Sequence, residues 1–571
     1  MSPLIRPVLI RNSAGDIAAG LKIDRATVCG RDASLVGWAT ESCTLQLLIH
    51  GQLIASRLVR QPRPDVARTL KMQEPASGFG FNLSAKIRPD DVADLVMRVL
   101  VKTGSGSQPF EYPIQLMREG ALPGAFVDPR RDAAGELTMA SLSLATGDLV
   151  VQGWLLAGDE TQVWLETDAG QRWAVASAYR FRQTAITASQ QGGWGAAARE
   201  PGLLMRCEGA MACSVVRLMR SQPNGTEPSV VAEADVEALA SDPVMAARRL
   251  FSVETPVGEF ARRVSAVDGP VLSALLEVDR AGWPEIPVFR RVLGRPVADP
   301  LVTVVIPLYG RLDFIENQLL AFAEDAWLQT RAQLVYVLDD ERLVDAMTQQ
   351  AEQWYRLYGV PFEWVFGGVN RGFSGANNLG AAQARGEYLV FLNSDAFPVA
   401  PGWLEPLCQS LADDPTLGIV GTRLVFPDGS LQHASMAFMR REELGVWINH
   451  HPLMGCPVEL DPHERLARVP AVTGACMALR RSTLEAVGGW DTGYLVGDFE
   501  DSDLCFKVRQ LGLDIGYLPT VALTHLERQS FKLLGLGDFR QRVVIYNAAR
   551  HQHRWGEQIA ALANGAEGAE A

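Results

Sequence analysis

Across the first 240 residues, apolar positions come in short alternating runs broken by Gly, Pro, Asp and Asn, a period-two texture that predicts antiparallel strands rather than helices. A motif recurs within it. Leu35-Val36-Gly37-Trp38 leads through 45–49 and a turn at Gly51 to Arg60 and Arg63; Val150-Val151-Gln152-Gly153-Trp154 leads through 163–165 and a turn at Gly170 to Arg180 and Arg182. Such a duplicate predicts two β-sandwich-like modules, at 22–125 and 135–240, each of roughly a hundred residues. Each Trp reads as a core anchor, because the start of an apolar strand is where a sheet needs bulk; the alternative is a stacking platform for a sugar ring.

From 241 to 298 the period becomes helical, with Val244, Ala247, Leu250 and Phe251 and then Val271, Leu272, Leu275 and Leu276, so this stretch is expected to be a helical connector. Four prolines between 284 and 300 end it. The β-branched run 301–306, bounded by Pro307, then opens an α/β domain expected over 299–560. Helices expected at 313–327, 341–358 and 374–384 alternate with strands at 334–338, 362–366 and 388–392, and such βα alternation gathers ligands beyond the carboxyl ends of the strands. Residues 561–571, mostly Ala, Gly and Glu, are expected to form a disordered tail.

Composition narrows the functional classes. The chain has 571 residues, 47% hydrophobic and 21% charged, with a net charge of −13 and no long basic run, which disfavours a nucleic-acid partner. Eight cysteines without a CxxC pair read as reduced thiols. Neither a signal peptide nor an apolar run of spanning length is legible, so a cytoplasmic location is expected, with peripheral association at the inner face of the plasma membrane as a variant. The patterns GxxxxGK, HExxH and GxSxG are absent, which removes P-loop, zincin and serine-esterase chemistry.

Polar residues follow three of the expected strands: Asp339-Asp340, Asn370-Arg371-Gly372 and Asn393-Ser394-Asp395. Any one of these could be a turn or a helix cap, but three at successive strand ends mark a site. Further on, Asp498-Phe499-Glu500-Asp501-Ser502-Asp503 opens a helix with more carboxylates than capping needs. Their mutual repulsion raises the proton affinity of at least one, which suits a general base. His450, His451 and His463 lie in a Pro- and Gly-containing stretch without ligand spacing and read as a surface loop, with lining of an acceptor groove as the lesser reading.

With Val304-Val305-Ile306-Pro307-Leu308-Tyr309, Asn370-Arg371-Gly372-Phe373, Asn377-Asn378, Leu392-Asn393-Ser394-Asp395, Thr473-Gly474-Ala475-Cys476, Gly488-Gly489-Trp490-Asp491, Glu500-Asp501-Ser502-Asp503-Leu504 and His525 in order, residues 302–530 resemble an inverting glycosyltransferase of family 2, specifically its bacterial rhamnosyltransferase-like branch. The resemblance implies a GT-A fold, an α/β domain with a Rossmann-like mixed sheet, here preceded by all-β modules. It also implies transfer of a sugar, rhamnose in that branch, from a UDP- or dTDP-linked donor to a bacterial surface glycan or lipid-linked precursor. A divalent metal, Mg or Mn, would neutralise the diphosphate leaving group, with Asp395 and His525 as ligands. By similarity Asp339, or Asp340 in its place, meets the base; Tyr309 stacks on it; Asn370 and Arg371 lie along nucleotide and sugar; and Asp501 is the general base, with Glu500 in reserve. The sequence departs from the family's Asp-X-Asp at Asn393, which offers an amide and no charge, so metal binding is expected to be weakened. A core histidine remains the alternative for His525, and a catalytically weakened glycan-binding or scaffold protein the alternative for the whole chain.

Overall fold

The computed structural model describes residues 8–567 apart from 12–16, 30–31, 41–42, 62–79, 88–94, 104–105, 115–116, 119–132, 158–161, 182–199, 222–226, 253–256 and 527–537. Arg63 and Arg182 of the repeated motif fall outside the described residues.

Two all-β modules come first, each a pair of sheets around one apolar core. In the first, the strands Ile17–Cys29, Asp32–Ala39, Gly80–Lys86 and Ser56–Gln61 form one sheet, and Gln52–Ile54, Cys43–Ile49, Leu95–Thr103 and Gly106–Pro113 the other. Leu35 and Leu83 from one sheet meet Leu47 and Met97 from the other. In the second module, Leu149 and Val151 of Asp148–Ala157 pack on Leu165 and Leu218 of the facing sheet. The first sheet starts upstream of residue 22, because Val8–Arg11 pairs antiparallel with Ile17–Cys29.

The duplicated motif has one physical meaning in both modules. Opposite Gly37 the neighbouring strand shifts register between Ile23 and Arg25; opposite Gly153 the shift lies between Leu137 and Met139. At each bulge a backbone carbonyl comes so close that a Cβ would lie 2.1 Å from Lys22 O at Gly37 and 1.9 Å from Glu136 O at Gly153, so only glycine fits. The next residue, Trp38 or Trp154, is buried, which supports the core-anchor reading over the sugar platform. Arg60 then donates to Ala39 O at 3.0 Å and Arg180 to Leu155 O at 2.7 Å, in each case the carbonyl that follows the Trp.

Between the second module and the α/β domain lie the helices Pro243–Phe251 and Gly269–Gly282. Asp242 caps the first by accepting from the Met245 amide at 2.7 Å, and its apolar stripe enters a core shared with Val150, Phe181 and the carboxyl-terminal helix Asp538–Glu567. Two expectations change here. The end of the connector is not helical: Phe289–Leu293 is an edge strand antiparallel to Phe362–Phe366, held by Arg290 on Glu363, and its polar arginines hid it from a search for apolar strands. At the other end, the final helix continues to Glu567, because Ala-rich sequence propagates a helix that is already packed, so a disordered tail does not begin at 561.

The α/β domain is built on a mixed sheet. Val302–Leu308 lies between the parallel strands Ala332–Leu338 and Tyr388–Leu392, with Phe362–Phe366 beyond the former; Cys476–Arg480, Leu417–Val425 and Asp514–His525 extend the sheet. Pro307 is tolerated inside a strand because the ladder to Tyr388–Leu392 ends at Val305. Alternate residues of the central strand enter different cores. Val302, Val304 and Ile306 meet the helices Asp313–Ala323, Val344–Tyr358 and Leu404–Asp413; Val305 meets Gly372–Ala381 and Glu500–Gln510. This is the architecture expected from the sequence: a Rossmann-like mixed sheet with helices on both faces, preceded by all-β modules. Among the described residues no helix is long and apolar enough to cross a membrane.

Candidate active site

The carboxyl ends of the strands carry two corners. The first forms where Tyr388–Leu392 runs out into Asn393-Ser394-Asp395 beside the end of Asp514–His525. The short strand Ala396–Pro398 pairs with 523–525, so Asp395 and His525 are neighbours by register. His525 Nε2 lies 3.1 Å from Asp395 Oδ1 and 3.3 Å from Asn393 Nδ2. On its other side the ring meets Gln432 Oε1 at 2.7 Å, while Gln432 Nε2 donates to the His525 carbonyl. That double contact assigns the proton to Nδ1, so the Nε2 lone pair faces a carboxylate oxygen. Two acceptors at this distance need a cation between them, either a proton or a metal ion. A carboxylate with an imidazole oriented by an amide is a donor set that suits a divalent metal, Mn more readily than Mg because of the nitrogen. Gln432 gave no signal in the sequence beyond its place after the Pro427-Asp428-Gly429-Ser430 turn, which the structure shows closing a hairpin.

Along the same edge, Asp339 is buried, and its Oδ1 accepts from the Arg371 amide at 2.7 Å. Burial pushes its carboxyl up to about 8, against the opposing pull of the Arg371 and Gly372 amides. Asp340 is held below the ordinary carboxylate range by its bond to Arg342 and also accepts from the Gly310 amide. The Arg342 guanidinium lies 5.9 Å from the half-buried Tyr309 ring. Asn370 is exposed, its Oδ1 taking the Gly372 amide at 2.8 Å in a turn of its own. The Arg371 guanidinium donates to Gly367 O at 2.9 Å, just past the end of the strand Phe362–Phe366, and lies over the Trp283 ring of the connector at 5.3 Å.

The second corner is the start of the helix Glu500–Gln510. The three carboxylates of its first turn have separate tasks. Asp503 accepts from Tyr494 Oη at 2.9 Å and Trp555 Nε1 at 2.6 Å and pairs with Arg554, so it fastens the helix to the carboxyl-terminal one. Asp501 accepts from the Gly474 amide at 3.1 Å and the Ser502 amide at 2.8 Å, with a further bond to the Thr473 side chain. Glu500 is buried, and its Oε2 has no hydrogen-bond partner. Burial raises the proton affinity of both, and that of Glu500 most, with repulsion from Asp501 adding to it. Glu500 therefore holds a proton more readily than Asp501, whose charged form the two amides support.

The backbone leading into this corner is strained. Val496, Asp498 and Phe499 have φ of 65°, 81° and 78°, values that cost a non-glycine residue about 1–3 kcal/mol each and collect at functional sites. His451 lies in a loop, as expected, half-buried after the strand Val446–His450, with its Nδ1 2.8 Å from Nδ1 of the buried His433, whose Nε2 accepts from the Thr473 amide; this pair stands behind the turn that holds Asp501. Neither His433 nor Gln432 has a spacing that sequence reading could have used.

The family model described as glycosyl transferase family 2 matches residues 303–488. O-antigen biosynthesis protein RfbC of Myxococcus xanthus is 29% identical over 241 residues, 40% of this chain and 18% of that protein. The pre-mycofactocin glycosyltransferase of Mycobacterium tuberculosis is 30% identical over 163 residues, 28% of this chain and 32% of that protein. An uncharacterised protein of Sinorhizobium fredii, y4gI, is 35% identical over 28% of this chain and 17% of its own. The chain thus spans less than a third of each of these relatives. Among solved structures, a mannosyltransferase from Pyrobaculum calidifontis in complex with GDP-Man and Mn2+ aligns over 55% of this chain and 88% of its own at 20% identity, with a TM-score of 0.30. Asp339, Asp340, Asn370, Arg371, Asn393 and Asp395 lie within the matched segment and Glu500, Asp501 and His525 beyond it; over residues 303–488 the chain carries a glycosyltransferase family 2 domain.

Proposed function

We infer that the protein is an inverting, metal-dependent glycosyltransferase that moves a sugar, rhamnose being the first candidate, from a UDP- or dTDP-linked donor to a hydroxyl of a bacterial surface glycan or its lipid-linked precursor. The observation that carries this reading is the approach of the Asp395 carboxylate to the His525 lone pair at 3.1 Å, at the strand ends of a family 2 domain. The surface-glycan acceptor draws on the likeness to the O-antigen biosynthesis protein.

Asp395 and His525 would hold the divalent ion, which would replace the Asn393 amide at His525 Nε2. Such an ion would supply the positive charge that a diphosphate leaving group needs. Asp339 and Asp340, with Tyr309 beside them, form the edge where the base would lie. Asp501 takes the proton of the attacking hydroxyl, its proton affinity raised by burial. Attack from the side opposite the leaving diphosphate inverts the anomeric carbon. Purified protein offered UDP- and dTDP-sugars with and without Mn2+ should release nucleotide only with both metal and acceptor. Metal-independent release would remove the metal from this reading, and tight glycan binding without turnover would favour the scaffold reading instead.

A further inference from the structure

The strain before the acidic helix needs something to hold it, and the carboxyl-terminal helix supplies it. Leu495 O accepts from the Gly497 amide at 2.7 Å, closing a γ-turn around Val496. With Val496 at φ 65° this is the rare form of the turn, and a β-branched residue is poorly suited to it. Asn547, wholly buried on the helix Asp538–Glu567, bonds to this turn three times. Its Oδ1 accepts from the Leu495 amide at 2.9 Å, and its Nδ2 donates to Leu495 O at 3.0 Å and to Gly497 O at 2.7 Å. Every polar atom of the side chain's amide group is thereby spent on one strained turn, three residues before Glu500. The helix that carries Asn547 is itself fixed, through Val543, Ile545, Tyr546 and Ala549, in the core it shares with the connector helices.

We propose that Asn547 is a positioning residue for the proton-accepting corner: it locks the γ-turn at Val496 and thereby sets where Glu500 and Asp501 stand. This rests on the functional reading above, in which that corner takes the acceptor proton. Asn547 touches no reacting atom, so its loss should leave nucleotide binding alone and act on turnover.

The test compares wild type, Asn547→Ala, Val496→Gly and the double variant in the full chain. Asn547→Ala should lower kcat by roughly tenfold or more at unchanged Mn-nucleotide affinity, and amide exchange at Leu495–Phe499 should accelerate by at least about tenfold. Val496→Gly removes the penalty for positive φ, so in the Asn547→Ala background it should restore a large part of kcat, a rescue that general destabilisation would not give. Unchanged kcat in Asn547→Ala, or parallel loss of nucleotide affinity and kcat without rescue, overturns the proposal. If wild type transfers no sugar, it is the functional reading that falls. Exchange at Leu495–Phe499 then decides the lock by itself, and unchanged exchange in Asn547→Ala refutes it.

Discussion

The corner formed by Asp395 and His525 is held mainly through its backbone, by Gln318 on the Asn393 and Ala396 carbonyls and by the Leu526 amide on the Asp395 carbonyl, whereas the corner formed by Glu500 and Asp501 is held through its side-chain carboxylates. In the first, two strand ends bring a carboxylate and an imidazole lone pair together, with Gln432 orienting the ring, and their contact is incomplete without a positive charge. In the second, Asp503 is pinned by Tyr494, Arg554 and Trp555, Asp501 by Gly474 and Ser502, and the entering backbone by Asn547. The difference separates two kinds of work. A binding corner can draw its remaining order from what binds, whereas a proton-accepting corner must be oriented before reaction, because a misplaced base loses rate at once.

Four measurements would break or sharpen that contrast. The largest effect is expected from Asp395→Ala. Losing several kcal/mol of charge stabilisation should lower turnover by about 10³-fold and abolish the Mn dependence of nucleotide binding, read by calorimetric titration with and without metal. An unaltered metal titration would remove the first corner from the mechanism.

Next comes Asp501→Asn, which keeps size and hydrogen-bonding reach but cannot take a proton. Turnover should fall by roughly 10²-fold or more while donor affinity persists. Burial raises the proton affinity of Glu500 further than that of Asp501, so Glu500→Gln, which imitates a protonated carboxyl, should cost less than about tenfold. The reverse pattern in steady-state kinetics would exchange the two roles.

Gln432→Ala tests whether the side chains of the first corner have any order of their own. Releasing the His525 ring should weaken Mn affinity by about 10–100-fold and leave the acidic corner untouched. Equal affinity in the variant would mean that backbone register alone positions the imidazole.

The smallest effect concerns stability. Asp339 has its carboxyl pushed up to about 8 by burial, above its unfolded value of about 4. The stability it contributes is full below the unfolded value and is lost as pH rises through the folded one. Asp339→Asn imitates the protonated form, so its melting temperature should match wild type near about pH 4 and exceed it near about pH 8, where wild type must ionise a buried group. Parallel pH profiles for the two proteins would show that Asp339 is ionised throughout.

Much of this was legible along the chain because it is local. The alternation of β-branched runs with amphipathic stretches between 301 and 392 reports which face of each element is buried, and the expected strands at 362–366 and 388–392 coincide with the observed ones. The Gly-Trp repeats were visible because close backbone approach at a bulge admits glycine and nothing larger. The edge strand Phe289–Leu293 escaped because an edge needs few apolar side chains.

The order of modules, the α/β alternation and the set of groups that can carry charge at the strand ends are written in the chain, since periodicity and residue chemistry depend on neighbours a few positions apart. Only the tertiary structure decided which of those groups work together. Gln432 meets His525 across 93 positions, Asp501 meets Gly474 across 27, and Asn547 meets Leu495 across 52. Contacts of that span leave no period in the chain, because whether a buried carboxyl keeps its proton, or a strained turn persists, depends on which distant donor the packed fold brings within about 3 Å.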